Sequence, residues 1–231
     1  MSRPIDEDEL ALPKSDICTA ATAFVYDVSP EFLAHHCVRS YLFARHLAYG
    51  QGLSPDVDYD DELLFLSCVL HDLGATEHGN GDQRFEVDGA DAAAAFLRSH
   101  EVTESRINTV WQAIALHTSV GLAHRFGPIH AISQMGISAD IIGHQRELLR
   151  TGFADTVHAT WPRHNLGYAL AAVIAQQVTD DPVKGPPLTF PDHVHHLHHP
   201  QSMTPTWFDL VDNAGWNDQP PVHITQRGSR A

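Results

Sequence analysis

His71 and Asp72 stand side by side at the end of an apolar run, Leu63-Leu64-Phe65-Leu66-Ser67-Cys68-Val69-Leu70. Such a run suits a fully buried helix, and a carboxylate there is costly unless it is hydrogen-bonded, paired or bound to metal. Neighbouring helical side chains point about 100° apart, so the two can reach one ion only from a helix end. The same anomaly recurs elsewhere. Asp140 interrupts the apolar stretch Met135–Ile142, His36 shares a helix face with Phe32, Arg39 and Phe43, and His117 closes the stretch Val110–His117. Singly these have ordinary readings, a hydrogen-bonded core histidine or a capping aspartate. Jointly, His36, His71, Asp72 and Asp140 form a nitrogen-and-oxygen ligand set suited to zinc or iron, with manganese also compatible. One divalent ion per chain is the expected cofactor, and zinc the first expectation.

Helices must position these residues. Helical periodicity dominates and no good alternating strand pattern is present. Helices are predicted at about Ser15–Asp27, Pro30–Tyr49, Asp58–Leu73, Phe85–Ser99, Thr103–Thr118, Pro128–Leu149 and Asn165–Gln177. Pro30 and Pro128 fit first helical positions, Thr103 an N-cap, and Gly74 a helix stop. The expected organisation is a flexible acidic N-terminus over residues 1–13, a helical domain over 14–179, and an extended Pro/His-rich tail over 180–231. That tail would pack on the domain or on a partner subunit, which leaves a homo-oligomer open. The polar loop Ala75–Arg84 is either a substrate-contacting loop or a solvated connector. The histidine cluster His193–His199 is expected to be a solvated stretch that binds metal adventitiously.

The 231 residues carry 29 acidic and 14 basic side chains, for a net charge of -15. That balance argues against nucleic acid and anionic membranes as partners. No uninterrupted apolar stretch of about 18 residues exists, so no spanning helix is expected. The first ten residues lack the apolar core of a signal peptide. Cys18, Cys37 and Cys68 have no ligand-like spacing and are expected to be reduced core residues. The expectation is a cytoplasmic protein acting on a small molecule.

His36-Cys37-Val38-Arg39-Ser40-Tyr41, Leu70-His71-Asp72-Leu73-Gly74, His117 and Ser138-Ala139-Asp140 together resemble the HD-domain metal-dependent hydrolase superfamily. The resemblance runs from about Ser29 to Thr151, with 71 − 36 = 35 and 140 − 72 = 68 residues between elements. It implies an all-α fold, an HD-domain helical bundle followed by the irregular tail. A narrower likeness is to cyanamide hydratase-like proteins. It rests on His36-x-x-Arg39-x-Tyr41, on His71-Asp72-Leu73-Gly74-Ala75-Thr76-Glu77, on Phe85-Glu86-x-x-Gly89 and on Lys184 in the Pro-rich tail. Dinuclear HD phosphodiesterases tend to carry a histidine at the position matching Phe85. Its absence here implies a mononuclear site, with His117 left for proton transfer or substrate binding.

The resemblance therefore implies a hydratase or hydrolase that adds metal-activated water to a small nitrile-type substrate, as in cyanamide to urea. His117 or Glu77 would move the proton, and Phe32, Phe85 and Trp111 would wall the pocket. Arg39 either holds an anionic phosphate or braces Asp72 or Glu86, with the brace favoured. Thr76, Glu86 and Phe85 are expected to touch substrate or to orient the ligands. Two alternatives stay open, a phosphohydrolase of phosphomonoesters or nucleotides and a non-catalytic metal-binding module.

Overall fold

The computed structural model describes residues 5, 7–202 and 204–216. Among these the chain is all-helical and carries no named strand. The helices are α1 (Glu7–Leu10), α2 (Asp16–Val28), α3 (Glu31–Gly50), α4 (Asp61–Val69), α5 (Phe85–Ser99), α6 (Glu104–Ala115), α7 (Pro128–Ile142), α8 (Phe153–Thr160), α9 (Leu166–Asp180), α10 (Phe190–His198) and α11 (Trp207–Asn213). None of the helices is long and apolar enough to cross a membrane.

Two helices form the centre. Every residue of α3 from Leu33 to Ala44 is buried, and so is every residue of α4 from Leu63 on. Helices buried on all sides belong inside a bundle; α2, α6 and α7 pack around this pair, and α5 packs on α6 and on the 73–75 turn. The most extensive contact joins α3 to α7. It depends on Gly136, where a Cβ would stand 2.2 Å from the Ser40 carbonyl oxygen. That close crossing sets the distance between His36 and Arg39 on one helix and Asp140 on the other.

Local signals explain most boundaries. Ser15 Oγ accepts the Cys18 N–H at the start of α2, and Asp60 Oδ1 accepts the Leu63 N–H at the start of α4. Pro128 begins α7, and Gly143 ends it in the left-handed region with φ +71°. The predicted helix through Leu149 therefore stops seven residues early, and residues 146–148 form a separate 3-10 turn. Helix α4 likewise ends at Val69 rather than Leu73. His71 and Asp72 occupy a turn, and Leu73–Ala75 make a 3-10 turn. Gly74 is required there by close approach: a Cβ would lie 1.9 Å from the Phe85 carbonyl oxygen and 2.7 Å from the Gly89 nitrogen.

The polar loop after this turn is tied down. Thr76 Oγ1 donates to the Leu73 carbonyl (2.6 Å) and accepts the Gly79 N–H (3.1 Å). Asp88 accepts the N–H groups of Gly81 and Gln83, and the buried Lys184 ammonium donates to Asp88 and to the Gly81 carbonyl. The stretch after residue 180 is more structured than the extended tail the prolines suggest. Proline at the start of α10 fixes its first turn rather than preventing it, and α10 packs on α9. The 193–199 histidine cluster lies on that helix and its C-cap. Pro220 and Pro221 lie outside the described residues.

Lys184 and Asp88 are both nearly inaccessible, so removing one strands a buried charge. Lys184→Met is expected to lower stability by about 3 kcal/mol in urea unfolding. The double variant with Asp88→Leu should recover most of that loss. A loss within 0.5 kcal/mol of zero (roughly the surface-substitution range) would contradict the pairing.

Candidate metal centre

Three imidazoles converge on Asp72, and each has its Nδ1 already engaged. His71 Nδ1–H donates to the Cys68 carbonyl (2.7 Å), which the turn after α4 brings beneath it. His117, in the turn that follows α6, donates from Nδ1 to the Ile114 carbonyl (2.7 Å). His36 Nδ1 lies 2.7 Å from Asp140 Oδ2. With Nδ1 spoken for in each ring, Nε2 is the nitrogen turned toward Asp72. His71 Nε2 stands 3.1 Å from Asp72 Oδ2 and 3.1 Å from His36 Nε2, while His36 Nε2 is 3.5 Å from Asp72 Oδ2. His117 Nε2 is 3.7 Å from the other oxygen, Oδ1. Engaging one ring nitrogen to fix tautomer and orientation for the other is how metal-binding histidines are held.

Asp72 is 1% exposed, and among the described residues its oxygens accept no well-formed hydrogen bond, their near neighbours being the imidazoles. A carboxylate buried with so few donors is costly unless a positive charge meets it. One atom each from His36, His71 and Asp72 lie within 4.8 Å of one another. The donor set, two imidazole nitrogens and a carboxylate oxygen, fits a divalent ion. Burial lowers the pKa of His36 and of His117 below the ordinary imidazole value, which favours their neutral, ligating form. His71 differs: burial opposes its charge, but Asp72 beside it raises its pKa well above the ordinary value, so a metal would have to displace a proton there. Burial alone would raise the Asp72 pKa, but His71 beside it holds the carboxyl below the usual range.

Asp140 is not in this group. It lies behind His36, on the Nδ1 side, at the focus of a cationic cage. Arg39 Nε donates to its two oxygens (2.9 and 3.1 Å) and Nη2 to Oδ2 (2.8 Å). Arg163 Nη1 donates to Oδ1 (2.8 Å) and to the Asp140 backbone carbonyl (2.6 Å), and His158 Nε2 stands 3.6 Å from Oδ1. Burial opposes its ionisation, yet His158, His36 and Arg39 hold its carboxyl well below the ordinary range. Asp140 thus meets the Nδ1 side of His36, not the Nε2 side that faces Asp72.

Arg39 is fully buried, and all three of its nitrogens donate, to Asp140 and to the carbonyls of Trp161 and Pro162 at 3.0 Å each. Its partner is neither Asp72 nor Glu86. Glu86 accepts from Arg84 (2.6 Å) and from Thr118 Oγ1 (2.5 Å), fastening α5 to the residue after His117. Phe85 meets the His117 ring edge-on at 5.5 Å. Thr76 is buried in its own turn. Glu77 is exposed and makes no hydrogen bond or ion pair among the described residues, so nothing links it to the histidines. Trp111 is spent on Asp91 through Nε1 (2.8 Å).

Arg163 and His158 are absent from any motif reading, because they come from a non-periodic stretch and its preceding short helix. Gln177 on α9 also escapes it; its amide donates to the Gly74 carbonyl (2.8 Å), seating α9 over the His-Asp turn. Beside that bond, Leu166, Leu170 and Ile174 of α9 pack against Leu33, Ala75 and Phe85 in a small apolar cluster.

A helical bundle with a buried His, His-Asp centre backed by a further aspartate defines a class: an all-α protein whose buried His/Asp group could hold a divalent metal. The chain belongs to the HD domain family, whose model matches residues 33–149, a little over half of its length. Family members are mostly metal-dependent hydrolases. No curated protein matches the chain.

Proposed function

We propose that the protein is a metal-dependent hydratase or hydrolase of a small, uncharged, nitrile-type molecule, with cyanamide-to-urea hydration as the reference reaction. The observation that carries the reading is the state of Arg39. An arginine that recognises a phosphate presents free N–H groups to it, and this guanidinium is inaccessible and turned to Asp140 and two carbonyls. The other cations bordering the site are committed as well, Arg163 to Asp140 and Arg84 to Glu86. Deep burial of His36, His71, Asp72 and His117 favours a substrate of a few heavy atoms.

His36, His71 and Asp72 would hold the ion. When bound, a divalent metal acts as a Lewis acid and lowers the pKa of water from 15.7 to about 7. The protein's own residues do the remaining work. Asp140, clamped by Arg39 and Arg163, keeps the His36 ring turned so that Nε2 faces inward. The Cys68 carbonyl does the same for His71. His117, neutral and with Nε2 as its free nitrogen, accepts a proton there and returns it to the substrate nitrogen as the product forms. Phe85 excludes water from that ring.

The test is urea release from cyanamide by zinc-loaded and iron-loaded protein, with His71→Ala as blank and p-nitrophenyl phosphate as the competing substrate. Urea release that vanishes in the variant supports the reading. Phosphatase turnover without urea would replace it with a phosphohydrolase.

A further inference from the structure

A second cluster of ligand-type side chains lies one residue away from the buried centre and faces outward. Glu31 and His35 sit one turn apart on α3, so they share a face. His164 reaches the same point from the stretch between α8 and α9. His35 Nε2 is 3.9 Å from Glu31 Oε1, His164 Nε2 is 3.7 Å from Glu31 Oε2, and the two rings lie 5.4 Å apart. One atom from each residue falls within a common 4.8 Å span.

These separations are too long for hydrogen bonds. They are close to the ~3.3–3.6 Å between donors that zinc bonds of about 2.0–2.2 Å require. His35 is buried, and its Nδ1 lies 3.3 Å from the Pro162 carbonyl, which leaves Nε2 as the nitrogen facing Glu31. Glu31 and His164 are the accessible partners and can close the remaining few tenths of an ångström. The backbone already bears a cost to hold His164 in place: His164 and Asn165 both adopt left-handed conformations, φ 48° and 58°, which non-glycine residues seldom do consecutively. Among the described residues, no hydrogen bond of the His164 side chain offsets it.

We propose that Glu31, His35 and His164 form a second divalent-metal site of the zinc type, with solvent completing the shell. Its placement gives it a role. Residues 161–164 supply the two carbonyls that saturate Arg39 and the Arg163 guanidinium that grips Asp140. An ion bridging α3 to His164 fastens that segment from outside and so braces the buried centre.

The experiment is zinc titration of chelator-stripped full-length protein against a chromophoric zinc indicator, counting equivalents. Glu31→Gln and His164→Asn are each expected to bind one zinc fewer than the parent. Asparagine tolerates the left-handed backbone, so the second variant retains the fold. His71→Ala should lose a different equivalent, and His71→Ala combined with His164→Asn should lose two. The tail imidazoles take up metal alike in parent and variants and cancel in the difference. Undiminished zinc in both outer variants overturns the site. Failure of His71→Ala to lose zinc would count against the buried centre alone.

Discussion

Arg39→Ala is expected to lower stability by about 5 kcal/mol, at the upper end for a broken buried ion pair. The magnitude follows from what the guanidinium serves. It neutralises Asp140 in a site with no solvent and satisfies two backbone carbonyls that have turned inward to meet it. Removing it leaves a buried carboxylate and two orphaned acceptors. Domains are typically stable by about 5–15 kcal/mol, so the variant should be marginal. Arg39→Lys should recover less than half of the loss, because one ammonium cannot fork between the carboxylate and both carbonyls. Urea unfolding of the metal-free protein measures both. A loss below about 1 kcal/mol would mean that Arg163 and His158 alone suffice to hold Asp140.

Asp72→Asn is expected to act chiefly on metal binding. The metal-free variant should lose about 1–3 kcal/mol, less than Arg39→Ala, since the amide keeps the shape but removes the charge that His71 stabilises. The buried equivalent of zinc should be lost. Activity should fall by more than a hundredfold, beyond the 10- to 100-fold usual for a group behind a ligand. Elemental analysis and unfolding in the presence of chelator separate the two effects. Several kcal/mol of destabilisation without loss of metal would make Asp72 a structural partner of His71. The contrast between the two carboxylates is itself informative: Asp140 is held by two guanidinium groups and Asp72 only by imidazoles.

The sequence made the helical fold legible because its apolar spacing is strong, and it singled out His36, His71, Asp72 and Asp140 because buried polar residues stand out in apolar runs. It did not separate the roles of the two aspartates. Which nitrogen of His36 a carboxylate meets depends on how α3 crosses α7, and the Gly136 contact that sets this carries no periodic signal. Arg163 was invisible for a related reason. An arginine in an irregular stretch looks solvated until tertiary packing brings an anion to it. Gly74 reads in the sequence as a helix stop, whereas its place is dictated by Phe85 and Gly89 from a helix not yet begun.

Helix α9 and residues 161–163 lie beyond the segment that the family model matches, yet they cap and brace the centre. Ligands and their enclosure are thus encoded in separate stretches of chain. A graft of residues 33–149 onto another helical scaffold would transfer the histidines while leaving Arg39 short of two acceptors and the Gly74 carbonyl without its amide. Conversely, α9 can change its inward side chains without touching a ligand. Divergence of substrate preference among proteins sharing this plan has an obvious place to occur, in the lid rather than in the hearth.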